Sequence, residues 1–197
     1  MSKKVAEIIS LVLNPLVVLI PAPFFLVFEK TDNLTLSFQW TVISIFFLFF
    51  FFLVILIGIK FGIFSNLDVS KREQRPTLFL IGMLLTIIYF IFLFAFHAPR
   101  ILSIGTFALI LGLIVLETIN MFTKVSAHLA VLSAFLTFLV LVEGWEFLPG
   151  FLLLPVLAWS RIKTKNHTLF QTIIGTLVGA LTTILIYVIF KYIGKYV

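Results

Sequence analysis

Between Asp32 and Lys60 the chain carries no charged residue, and this stretch includes Phe46-Phe47-Leu48-Phe49-Phe50-Phe51-Phe52. A run of that length and polarity has no stable place in water. The hydrocarbon core of a bilayer is about 30 Å thick and takes roughly 20 apolar residues as one helix. Comparable runs recur along the chain. Glu7 and Glu29 bracket one that contains Asn14-Pro15, Pro21 and Pro23; the others cover Thr77 to His97, Ile101 to Phe122, Val125 to Val142, Phe147 to Ser160 and Thr168 to Phe190. The runs are continuous, without the alternation of a membrane barrel. Composition agrees: 62% of the residues are hydrophobic and 11% are charged, against about 45–50% and about 25% in soluble domains. A soluble globular fold and a disordered chain are both excluded. With no Cys, so are disulfides, thiolate nucleophiles and cysteine metal sites.

The expectation is an all-α, polytopic transmembrane helical bundle of about six or seven spans, forming a single integral-membrane domain over 1–197. The prolines predict that the first span is kinked or locally unwound. They also argue against reading the segment after Lys3-Lys4 as a cleaved signal peptide. No repeat, linker or low-complexity tail interrupts the series.

Counting passes places three polar clusters on one side of the membrane: Ser65–Pro76, Thr123–His128 and Ser160–His167. Of the 14 basic residues, Lys30, Arg100, Lys191 and Lys195 fall on the other side, which leaves ten with the clusters. The positive-inside rule would make the clustered side cytoplasmic. If Lys71, Arg72, Arg75 and Arg161 bind a ligand they carry no topological vote, and the count drops from ten to six, against four.

The clusters read Asp68-Val-Ser-Lys71-Arg72-Glu-Gln-Arg75-Pro76, Lys124-Val-Ser126-Ala-His128 and Ser160-Arg161-Ile-Lys-Thr-Lys-Asn166-His167-Thr-Leu-Phe-Gln171. Histidines and arginines on one membrane face suit phosphoryl transfer. Guanidinium forks neutralise and orient phosphate oxygens. One imidazole can attack phosphorus while another protonates the leaving oxygen.

On these residues the chain resembles the type 2 phosphatidic acid phosphatase superfamily, in particular a compact bacterial branch with an Asn-Pro or His-Pro first helix. The family motifs are Lys-x6-Arg-Pro, Pro-Ser-Gly-His and Ser-Arg-x5-His-x3-Asp. The third is matched by Ser160, Arg161 and His167, with Gln171 in place of Asp. The second is matched by Ser126 and His128, with Val125 and Ala127 for Pro and Gly; the first only by Arg75-Pro76, with Asp68 at the lysine position. The likeness spans about Asn14 to Gly179. It implies that His167 is the nucleophile and His128 the general acid. Arg75 and Arg161 would bind the substrate phosphate, helped by Lys71 or Arg72 and by Ser126. It implies metal-independent hydrolysis without a cofactor, and a lipid phosphate as partner: polyprenyl phosphate, phosphatidic acid or phosphatidylglycerol phosphate. Membrane lipids are expected neighbours and nucleic acid is not. The implied location is a bacterial inner membrane with the site on the extracytoplasmic face, against the raw charge count. A non-catalytic binder or transporter of anionic lipids and a lipid phosphotransferase are the alternatives.

Asn166 is a good N-cap, so His167 is expected to open the last helix, where free amides favour an anion. His167, Gln171, Gly175 and Gly179 then share one face. Gln171, one turn on, can accept from the inner imidazole nitrogen and fix the tautomer. Glu117 is expected to pair with a cation such as Lys124, or else to face the site and supply charge that Gln171 lacks. Trp40, Trp145 and Trp159 fit an interfacial belt, His97 an interfacial turn, and Lys191 and Lys195 helix-end anchors.

Overall fold

The computed structural model describes residues 2–193, and among them no strand occurs. Uninterrupted apolar sequence becomes long helix because every backbone polar group must be satisfied inside its own segment. The helices are α1 (Lys3–Val12), α2 (Pro15–Leu19), α3 (Ala22–Thr31), α4 (Leu34–Lys60), α5 (Arg75–Ala95), α6 (Arg100–Asn120), α7 (Ala127–Val142), α8 (Leu153–Lys163) and α9 (Leu169–Ile193). Short 3-10 segments at Arg72–Gln74 and Trp145–Leu152 precede α5 and α8. Lys195 lies outside the described residues.

Four helices, α4, α5, α6 and α9, are long and apolar enough to cross a membrane, and Lys3–Leu19 with Ala22–Thr31 makes a fifth if that broken pair is one span. This is fewer than the seven runs in the sequence. The 16 residues of α7 reach only about 24 Å at 1.5 Å per residue. The Phe147–Ser160 run is divided between a 3-10 segment containing Pro149 and the 11-residue α8. The first run breaks where its prolines stand. Asn14 Oδ1 accepts from the Leu16 amide at 3.0 Å and Pro15 opens α2, the position where its missing N–H costs least. Large side chains such as Phe46, Phe50, Phe94 and Leu181 are exposed, a surface that lipid, not water, can cover.

The chain divides into two compact units, Met1–Leu19 with Thr123–Val197, and Ile20–Phe122. In the first, α9 lies backbone-close to α7. A Cβ at Gly175 would stand 2.5 Å from the Ser126 carbonyl oxygen, and one at Gly179 would collide with the Ala130 carbonyl. Ser133 Oγ donates across the same seam to the Thr176 carbonyl at 2.8 Å. Small residues that let backbones approach are how helices associate where hydrophobic burial offers no drive. Leu129, Leu132 and Leu136 of α7 then pack with Leu154 and Leu157 of α8 and Val18 of α2.

In the second unit, Val27, Trp40, Leu93 and Leu102 join α3, α4, α5 and α6. Trp40 is therefore a core residue; Trp145, by contrast, is exposed. Ser44 and Tyr89 share a 2.6 Å hydrogen bond between α4 and α5. At the end of α4, Gly62 takes a left-handed φ of 75° and the Ile63 amide reaches back to the Gly58 carbonyl at 2.8 Å. This helix stop turns the chain so that Phe64 covers Gly58 and packs with Ile55 and Val69.

Candidate functional site

The five-residue gap between Arg161 and His167 has a structural origin. Arg161 lies in the last turn of α8. After it Lys165 adopts a left-handed φ of 59°, and the Asn166 and His167 amides both return to the Arg161 carbonyl, at 3.1 and 3.2 Å. That closure satisfies a carbonyl the helix end leaves open, and it delivers the histidine beside the helix that carries the arginine. Lys124 Nζ donates to the Asn166 carbonyl at 2.7 Å and braces the same loop.

The start of α9 differs from expectation. The helix begins at Leu169, so neither does Asn166 cap it nor does His167 open it. Thr168 is the cap: its hydroxyl accepts from the Gln171 amide at 3.4 Å, and Gln171 Oε1 accepts from the Thr168 amide at 3.2 Å. This reciprocal pair is a capping box. It has a chemical consequence. A backbone N–H can only donate, so the Gln171 amide must present oxygen to it. The same Oε1 lies 3.2 Å from His167 Nδ1. That nitrogen must then carry the proton, and in the neutral ring the lone pair sits on Nε2. The contact with Gln171 anticipated from sequence is present, and the helix cap sets its polarity.

Arg161 is 1% exposed, and His128 and His167 are each 6% exposed. The Arg161 guanidinium donates from Nη1 to the Ser10 hydroxyl of α1, and Ser160 Oγ donates to the Ala6 carbonyl at 2.6 Å. The Ser-Arg pair thus fastens α8 to α1. Ser126 is the N-cap of α7, placing His128 in its first turn, and the Ser126 amide donates to the Gln171 carbonyl at 3.3 Å. The Ser126 hydroxyl is buried without a hydrogen-bond partner, an unusual state for a buried polar group. This unit therefore gathers Lys124, Ser126, His128, Arg161, His167 and Gln171 at one end of its helices.

Arg75, Arg72 and Lys71 belong to the other unit. Arg75 opens α5 and is 4% exposed. Its Nε donates to the Val69 carbonyl and its Nη1 to Asn120 Oδ1, each at 3.4 Å. Val69 is fully buried with φ 42°, a conformation that costs a β-branched residue about 1–3 kcal/mol. Arg72, expected on a phosphate, uses Nε and Nη2 on the Asn120 and Met121 carbonyls, at 3.0 and 2.5 Å. A cation there caps the C-terminal end of α6 and opposes its dipole. Lys71 is exposed. Glu117 Oε2 accepts from Asn120 Nδ2 at 3.4 Å. The carboxylate expected beside Lys124 or the histidines is thus joined to the Arg75 network.

Sequence reasoning missed Asn120, Ser10 and Thr168, and it gave Lys124 a different partner from the Asn166 carbonyl. Of these only Thr168 had a local signal, its Thr-x-x-Gln spacing. His97, read as interfacial, is exposed and takes a left-handed φ of 51° between α5 and α6. By fold and composition this is an all-α protein of the multi-pass membrane class. In comparisons with models of protein families, with curated proteins and with solved structures, nothing matches the chain.

Proposed function

We propose that the protein is an integral-membrane, metal-independent phosphatase that hydrolyses a lipid phosphate or pyrophosphate through a phosphohistidine, on a bundle like that of the type 2 phosphatidic acid phosphatases. One observation carries the reading. The 3.2 Å contact between His167 Nδ1 and the oxygen-presenting face of Gln171 leaves Nε2 as the basic nitrogen of a buried imidazole, in a loop closed onto Arg161. Nε2 would attack phosphorus in line with the departing oxygen. His128 would protonate that oxygen, then take a proton from the water that cleaves the phosphohistidine, returning His167 neutral and releasing phosphate. Arg161 and the Ser126 hydroxyl would hold the phosphoryl oxygens, and the resemblance gives Arg75 and Lys71 the same role. In the transition state the phosphoryl charge is spread over the three equatorial oxygens, so fixed donors around them lower the barrier.

The test is phosphate release from a panel of lipid phosphates by purified protein in detergent, with vanadate as inhibitor. Turnover that persists in EDTA and disappears with vanadate supports the reading; release from none of them overturns it. A second reading, retention of an anionic lipid without turnover, is favoured by the neutral Gln171, which brings no charge to stabilise a cationic phosphohistidine. For orientation we propose the extracytoplasmic face. A cysteine placed at the exposed Ser65, in a chain with none of its own, should react in intact cells. Labelling only after permeabilisation would assign this loop to the cytoplasm.

A further inference from the structure

Arg75 is buried, and its guanidinium is held at two of its nitrogens. Its Nε and Nη1 reach two acceptors, the Val69 carbonyl and Asn120 Oδ1, both at 3.4 Å. Contacts on two edges of a planar guanidinium fix both its place and its plane. Asn120 is 2% exposed, and its amide faces two ways: its oxygen accepts from Arg75 while its nitrogen donates to Glu117 Oε2 at 3.4 Å. The two hydrogen bonds polarise the amide in the same sense, from cation to anion, so each strengthens the other. An amide is the side chain that can do this. Aspartate would oppose Glu117, and leucine would break both links. The Asn120 carbonyl also accepts from Arg72 at 3.0 Å, which pins the end of α6 that carries the relay. Glu117 and Asn120 are separated by three residues and so share a face of that last turn.

We infer that Asn120 and Glu117 are positioning residues for Arg75, a relay that sets the direction in which its guanidinium meets an anionic substrate. The kinetic part of this inference rests on the proposed phosphatase reading; the positional part does not. The experiment uses the full chain in detergent micelles, with arginine labelled by nitrogen-15, and follows the Arg75 Nη1–H resonance that faces Asn120, assigned by its loss in Arg75→Lys. Asn120→Leu should raise the solvent exchange of that proton by about tenfold or more, in keeping with one lost hydrogen bond to a charged group. Glu117→Gln retains an acceptor for Asn120 and should keep most of the protection; Glu117→Leu should not. If Asn120→Leu does not fold, Glu117→Leu reads the same resonance. In turnover, Asn120→Leu should raise KM for a lipid phosphate about tenfold in the native background and add nothing in the Arg75→Lys background, because residues that act through one another are not additive. Unchanged exchange in the leucine variants, or losses that add in the double variant, would overturn the inference. A native protein that releases no phosphate sinks the phosphatase reading alone, since the exchange measurement still decides the positional claim.

Discussion

The two motif arginines are buried in different ways. Arg161 stands in the last turn of α8, donates to the hydroxyl of Ser10, and lends its carbonyl to the amides of Asn166 and His167. Arg75 stands in the first turn of α5 and is held through Val69 and Asn120, with the Glu117 carboxylate behind the amide. One arginine is built into the backbone that presents a histidine; the other is built into a side-chain relay that ends on an anion. The difference separates two ways of fixing a buried guanidinium. Around Arg161 the fold secures geometry through a loop closed on its own carbonyl and a hydrogen bond to the Ser10 hydroxyl. Around Arg75 it secures geometry through charge, so a substitution two bonds away is felt electrostatically. The first unit should therefore respond to changes in loop and cap, and the second to changes in the relay.

The largest effect is expected at His167. Replacing it with Ala should lower kcat by about 10⁴-fold or more, as removal of a nucleophile does, while the chain stays folded, since its backbone amide still closes on Arg161. Asn120→Leu should act mainly on KM. A His167→Ala protein that keeps measurable turnover in single-turnover phosphate release would remove the nucleophile from this unit and erase the contrast.

Next comes Gln171, where a positioning role and a capping role, both met by Oε1, predict different outcomes. Gln171→Leu removes both the contact with His167 Nδ1 and the reciprocal cap. Thr168→Ala removes only the hydroxyl half of the cap, worth about 1 kcal/mol of stability. If Gln171 orients the imidazole, Gln171→Leu should lower kcat by about ten- to a thousandfold, well beyond Thr168→Ala, with little change in KM. Gln171→Glu should raise kcat, because a carboxylate in the same place stabilises the cationic ring and is also favourable at a helix N-terminus. Equal kcat in Gln171→Leu and Thr168→Ala would reduce Gln171 to a cap.

How much of this could be read in advance depended on where each signal lay. The α4 run announced itself, and the breaks at Pro15 and Pro21 followed from a missing N–H. The shortness of α8 did not follow, because Phe147–Ser160 is a continuous apolar run in which no residue marks the change from the 3-10 segment to α8 at Leu153. Helix stops at Lys165 and His97 were hidden because both put an ordinary residue where glycine is the usual marker. Asn120 and Ser10 act on arginines that are distant in sequence, across gaps of 45 and 151 residues, and no local pattern reports such a pair. Thr168-x-x-Gln171 was legible as a cap, but Asn166, an equally good N-cap by residue type, drew the expected helix start two residues too early.

The smallest effect concerns the helices themselves and tests whether the seam of the first unit is tighter than the packing of the second. Gly179 in α9 lies against the Ala130 backbone, where an added Cβ has no room, whereas Gly112 in α6 has nothing within 4 Å of that position. Backbone cannot swing aside as a side-chain tip can, so Gly179→Ala must push α9 away from α7. Overpacking of this kind costs about 1–3 kcal/mol, and the shift would also strain the Ser133–Thr176 hydrogen bond. Gly112→Ala meets no neighbour and gains the helix preference of alanine over glycine, about 0.5–1 kcal/mol, so it should be neutral or stabilising. Reversible unfolding in mixed micelles would measure both. Equal shifts in the two variants would mean that α7 and α9 are no more closely apposed than the helices of the other unit, and that Gly175 and Gly179 are not what brings Ser126 beside Gln171.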